Sequence, residues 1–183
     1  KRFEGLQISQ QWYVSMAVSL AVFYTLKHLK IPEISIKWPN DIMSRSKKCC
    51  GILIENTTKG THLDSAIIGI GINVNENQFK DLPLASSLRL ASGNSFDISL
   101  VLEVLLLQLK IQLTRVDNQD FEAIFNSYNQ DLFRLDTVAV FSTNTKVPFN
   151  AILRGVTKSG LLVLENEASQ RDTYNLKEIK YHF

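Results

Sequence analysis

Apolar residues recur at helical spacing over residues 9–29, where Trp12, Met16, Val18, Val22, Phe23 and Leu26 alternate with polar positions. Ser9 stands where an N-cap is expected, so the pattern predicts a helix. Pro32 separates it from Ile34-Ser35-Ile36-Lys37-Trp38, a short strand that Pro39 stops. Residues 50–55 and 65–75 read as two further strands, joined by a polar turn over 56–64 that contains Gly60. So short a connection forbids a parallel crossover and predicts an antiparallel pair. Residues 76–97 show no period and are punctuated by Pro83 and Gly93. Helices are expected over 98–116 and 119–131. In the first, Leu100, Leu102, Leu105, Leu106, Leu107 and Leu109 fall almost all round, which predicts burial on several sides.

After Leu132 the texture changes. Residues 137–142, 147–156 and 160–165 are β-branched and apolar, and a last strand is expected over about 172–182. Asn144-Thr145-Lys146 and Lys158-Ser159-Gly160 are the intervening turns. Short strands at this spacing make a small barrel or sandwich, and the boundary falls between 1–131 and 132–183. The expected fold class is α+β: a mixed, largely antiparallel sheet with helices on one face, followed by a small β-barrel.

Bulk properties narrow the function. The 183 residues are 45% hydrophobic and 21% charged, as in ordinary globular proteins. A net charge of +2 gives no general attraction to nucleic acid or to a membrane surface. No apolar run approaches the roughly 18 residues needed to span a bilayer, and the start, Lys1-Arg2-Phe3-Glu4-Gly5, does not have the form of a signal peptide. Cys49 and Cys50 are adjacent, so they read as buried thiols of a reducing compartment and not as a disulfide or zinc site.

Three segments carry candidate chemistry. In the strand Gly69-Ile70-Gly71-Ile72-Asn73-Val74-Asn75, alternation puts Gly69, Gly71, Asn73 and Asn75 on one face and the branched residues on the other. Glycine inside a strand marks either close approach by a ligand or a bulge, and the strand alone leaves both open. In Lys37-Trp38-Pro39-Asn40-Asp41 a strand delivers a cation, an aromatic, an amide and a carboxylate onto one tight turn; ordinary turn chemistry produces the same residues. In the third segment Lys48 enters a strand three residues before Gly51, and a solvated edge lysine would look alike.

Taken together, 37–41, 48–55 and 69–75 resemble the successive central motifs of the biotin–protein ligase family: KWPND, K-x-x-G-I-L-x-E and G-x-G-I-N-x-N. Pro83 and Ala85-Ser86-Ser87-Leu88 resemble the segment that follows, and the β-rich end resembles the family's C-terminal SH3-like domain. The family's G-R-G-[RQ]-x-G loop and S-T-N segment are not found in residues 1–183, so the resemblance implies a catalytic domain that is incomplete at its N-terminal side.

What the resemblance implies is a two-step ligation, in which biotin and ATP give biotinyl-AMP and the biotinyl group then passes to a lysine of a biotin carboxyl carrier domain of acetyl-CoA or a related carboxylase. Lys48 matches the family's catalytic, biotin-contacting lysine, and Gly51, Gly69 and Gly71 are its companions against biotin. Lys37, Asn40, Asp41 and Asn73 match positions associated with ATP, with Asn40 also near the magnesium ion. ATP and Mg2+ enter as a substrate complex, and no tightly bound prosthetic group is implied. The resemblance also implies a cytoplasmic protein and a possible homodimer formed beside residues 56–65. A lipoate–protein ligase or octanoyltransferase, or a non-catalytic regulatory fragment of the same fold, is the alternative.

Overall fold

The computed structural model describes residues 1–144 and 147–182. Its first part is a four-stranded sheet of β1 (Ile34–Lys37), β2 (Asp41–Ser44), β3 (Lys47–Lys59) and β4 (His62–Ile72), in that spatial order. Every ladder in it is antiparallel, and parallel pairing is confined to isolated bridges such as Lys48 with Ala85. The expected hairpin is present and longer than its sequence pattern. The stretch over 56–64 is mostly strand, closed by a two-residue loop in which Gly60 takes φ +61°. Asn56, Thr57, Thr58 and Lys59 are all exposed there, so no apolar alternation marks them.

Helix α1 (Gln11–His28) is the centre of the molecule: Val14, Ala17, Val18, Leu20, Ala21 and Val22 are all fully buried. It packs on β1, β2 and β3 and is covered by α3 (Ile98–Asp117) and α4 (Phe121–Gln130). Its N-cap is Gln10, preceded by a 3₁₀ turn over Ile8–Gln10, and not Ser9. A short helix α2 (Leu88–Ser92) is capped by Ser87, whose Oγ accepts from Leu90 N. Helix α3 departs from expectation. Only Val101, Val104, Leu105, Gln112 and Val116 are buried, while Leu102, Leu106 and Leu107 are more than half exposed. It packs on α1 and α4, and Leu102, Leu106 and Leu107 lie outside those contacts.

The second sheet contains β5 (Val138–Thr143), β6 (Pro148–Val156), β7 (Leu162–Glu165), β8 (Arg171–Tyr174) and β9 (Ile179–His182), ordered β8-β7-β6-β5-β9. The single strand expected over 172–182 is two, and they lie at opposite edges of the sheet. Thr145 and Lys146 of the expected turn lie outside the described residues. The two sheets share one hydrophobic core. Gly160, in the turn before β7, packs closely on α1: a Cβ there would fall 1.9 Å from the Trp12 ring, and its φ is +83°. Trp38 Nε1 donates to Gly160 O at 2.9 Å, tying the 37–41 turn to the second sheet.

Candidate active site

Strand register assembles the site. Lys37 pairs with Asp41, Asp41 with Gly51, and Gly51 with Gly71, so one row crosses all four strands. Residues opposite one another across a ladder share a face. The next pair on that face, Leu53 with Gly69, leaves Leu53 63% exposed. The opposite face is core, where Ile68, Ile70, Ile72 and Val74 pack on the buried cluster.

Lys48 reaches this face because of a bulge. Ile42 pairs with Cys50 and Met43 with Lys48, so Cys49 is the extra residue. Without it, Lys48 would point to the side opposite Gly51, because the two are an odd number of positions apart. With it, Lys48 Nζ lies 2.6 Å from Asp41 Oδ1, and a Cβ on Gly51 would sit 3.0 Å from the same Nζ. Lys37 Nζ approaches Asp41 Oδ2 at 3.7 Å. One carboxylate is thus shared by two ammonium groups, leaving an excess of positive charge for an anionic ligand. Burial lowers the pKa of Lys37 below its ordinary value, Asp41 opposes this and Lys48 adds to it. The thiols behind the row are inert: burial pushes Cys49 up to about 11 and Cys50 up to about 12.

Over the charged row lies a cavity of about 520 Å³, lined by Lys37, Asp41, Lys48 and Asn73 on the polar side. Met43, Phe79, Leu82, Pro83, Leu84 and Ala85 form its apolar wall. That wall is fastened at its base: Lys48 N donates to Leu84 O at 2.7 Å, Ser86 N to Lys48 O at 2.8 Å, and Asn73 Nδ2 to Ser86 O at 3.0 Å. An apolar wall facing a few convergent polar groups is the usual form of a small-molecule site. Sequence reasoning matched Pro83 and Ala85 to a family segment without placing them at the site, and it missed Met43, Phe79, Leu82 and Leu84. The unperiodic 76–97 stretch carried no signal for them beyond its scattered apolar residues.

The glycine face also becomes clear. Gly69 and Gly71 lie in regular register, the only shift in this ladder being at Thr57 and Thr58, and neither has a positive φ. A Cβ at Gly69 would come no closer than 3.6 Å to Leu53 O, and one at Gly71 no closer than 3.9 Å to Gly51 O. Neither backbone nor packing requires glycine here, so the bulge explanation falls.

Two amides near the row bond backbone groups. Asn75 grips Phe96: its Nδ2 donates to Phe96 O, and Phe96 N donates to its Oδ1. Asn40 lies away from the Lys48 cavity and lines a separate one of about 270 Å³ with Trp12, Pro39 and Leu53. Its Nδ2 donates to Ile52 O at 2.7 Å, which fastens the turn to β3. Among the described residues no cluster of three His, Cys, Asp or Glu side chains is placed to hold a metal.

Residues 5–73 match the Biotin/lipoate A/B protein ligase family. The chain is 29% identical over 167 residues to the bifunctional ligase/repressor BirA of Bacillus spizizenii, covering 88% of this chain and 51% of that protein. It is 27% identical over 144 residues to the biotin–[acetyl-CoA-carboxylase] ligase of Paracoccus denitrificans, covering 76% of this chain and 60% of that one. The chain thus spans about half the length of the curated relatives it matches. Its fold superposes on the Aquifex aeolicus biotin protein ligase in complex with biotin and ATP with a TM-score of 0.77, at 22% identity, covering 93% of this chain and 71% of that one. Residues 5–73 thus match the biotin/lipoate A/B protein ligase family, and over most of its length the chain is homologous to biotin protein ligases.

Proposed function

We propose that the protein carrying this chain is a biotin–protein ligase, which activates biotin with ATP to biotinyl-AMP and transfers biotin to a lysine of a biotin carboxyl carrier domain. The observation that carries this is the row Lys37-Asp41-Gly51-Gly71, with Lys48 delivered onto it by the Cys49 bulge. The first step brings a carboxylate against a phosphate, so positive charge must stand between two anions. Lys48 and Lys37 provide it, and Asp41 holds both ammonium groups in place until the ligands arrive. In this reading the biotin moiety lies on Gly51, Gly69 and Gly71, where a side chain would lift it off the sheet. The nucleotide occupies the cavity walled by Met43, Phe79 and Leu82, beside Asn73.

Holding the two reactants in one groove converts an encounter into an intramolecular step. A biotin carboxylate oxygen bonds to the α-phosphorus and pyrophosphate leaves. The carrier lysine amine then bonds to the acyl carbon, AMP leaves, and a proton is released. Magnesium arrives on the phosphates as part of the substrate; Asn40, with Nδ2 committed to Ile52 O, acts by holding the turn. Residues 1–131 form the catalytic unit, and the second sheet from 132 onward is its SH3-like companion. Among the described residues no helix is long and apolar enough to cross a membrane, and the buried free thiols fit the cytoplasm.

The test uses the full-length protein with ATP, Mg2+ and radiolabelled biotin or lipoate, followed by a carrier domain. The account expects labelled biotinyl-AMP and then labelled carrier. Adenylation of lipoate in preference to biotin, or no adenylate at all, would overturn it.

A further inference from the structure

The catalytic turn is gripped by the second sheet at two successive residues. Trp38 donates to Gly160 O, and Lys37 Nζ stands over the Tyr181 ring, 5.3 Å from its centroid. Tyr181 lies in β9 opposite Phe141 of β5, with its ring 5.0 Å from that of Phe141, so the platform beneath Lys37 is fixed by the second core. The Tyr181 hydroxyl is buried and has no hydrogen-bond partner among the described residues. The ring, not the hydroxyl, is therefore what faces the ammonium. Lys37 is four-fifths buried, and Asp41, its neighbour at 3.7 Å, bonds more closely to Lys48. A largely desolvated ammonium sharing its counter-ion is stabilised further by an aromatic face.

Resting on the function proposed above, we propose that Tyr181 is a positioning residue for nucleotide binding, acting through Lys37. The second sheet thereby takes part in the site, although none of its residues lines the Lys48 cavity.

The experiment measures ATP and biotin affinities of the full-length protein by titration calorimetry, for wild type, Tyr181→Phe, Tyr181→Leu, Lys37→Met and the Lys37→Met/Tyr181→Leu double variant. Tyr181→Phe should bind ATP like wild type, because it keeps the ring. Tyr181→Leu should weaken ATP roughly two- to thirty-fold, the span a cation–π contact is worth, with biotin affinity held. In the Lys37→Met background the Tyr181→Leu effect should vanish, a result that a general packing defect would not give. Should Tyr181→Leu fail to fold, Tyr181→Met takes its place in both backgrounds. The inference is overturned by wild-type ATP affinity in Tyr181→Leu, by equal losses for biotin, or by a loss that persists without Lys37. A wild-type protein that binds neither ligand refutes the proposed function, and with it this role; that result is read before any variant.

Discussion

Lys48 Nζ and Asp41 Oδ1 stand 2.6 Å apart because Cys49 bulges out of the β2–β3 ladder. The contact has consequences for chemistry, since the same ammonium is poised at the glycine face. In the proposed reaction, replacing Lys48 by alanine removes charge where the transition state needs it. The expected cost is about 10²–10³ in the rate of biotinyl-AMP formation, as for loss of one preorganised donor. Its side chain is 45% exposed, so the melting temperature should hardly move. Single-turnover adenylation beside a thermal melt checks both, and near-normal adenylation would remove Lys48 from the assigned role.

Gly51 is expected to be sensitive for a different reason. A Cβ there would lie 3.0 Å from Lys48 Nζ and 3.1 Å from its Cε, the flexible end of a side chain. Gly51→Ala should therefore fold normally while shifting the lysine away from Asp41. Slower adenylation with an unchanged melting temperature is the predicted pair of results. A fall in melting temperature with adenylation intact would contradict it.

The cysteines behind the row should be silent. Cys49 and Cys50 are buried, with pKa values pushed up to about 11 and about 12, so the thiolate is scarce at pH 8. Iodoacetamide should leave both unmodified in the folded protein and label both after denaturation, as read by mass spectrometry. Rapid labelling of the native protein would mean that the β2–β3 ladder opens.

The second sheet carries an acid-sensitive cluster. Arg154 and Arg171 each bond Glu165 at 2.8 Å and hold its pKa at about 2, below the ordinary 4.5. A carboxylate whose folded pKa is depressed adds stability that is present above 4.5 and is lost as pH falls toward 2. Glu165→Gln should thus be less stable at neutral pH and lose less stability over that acid window. Denaturant midpoints across the pH range test this, and parallel curves for the two proteins would refute it.

The long apolar periods of α1 and the branched strands around Gly69 and Gly71 were readable from sequence, since burial imposes them. Less visible were features that depend on a partner. The β2 strand, Asp41 to Ser44, gave no alternation because Ile42, Met43 and Ser44 are all buried, Ser44 satisfying its hydroxyl on Pro32 O. With β2 unseen, the Cys49 bulge and the direction of Lys48 could not be derived. The leucines of α3 misled for the opposite reason: composition reports apolar residues, not which of them meet α1. Alternation put Asn75 on the glycine face and the motif resemblance singled out Asn40; that their amides bond backbone groups of Phe96 and Ile52 is a matter of tertiary geometry.

The central claim is that the glycine face is kept bare for a ligand, and Gly71→Val tests it most directly. Valine suits strand geometry, and a Cβ at Gly71 meets only Gly51 O, at 3.9 Å. Melting temperature and biotin affinity should be measured on the same purified variant. The account predicts a melting temperature equal to or slightly above wild type, with biotin binding reduced beyond detection. A variant that melts lower while its folded fraction binds biotin normally would contradict it.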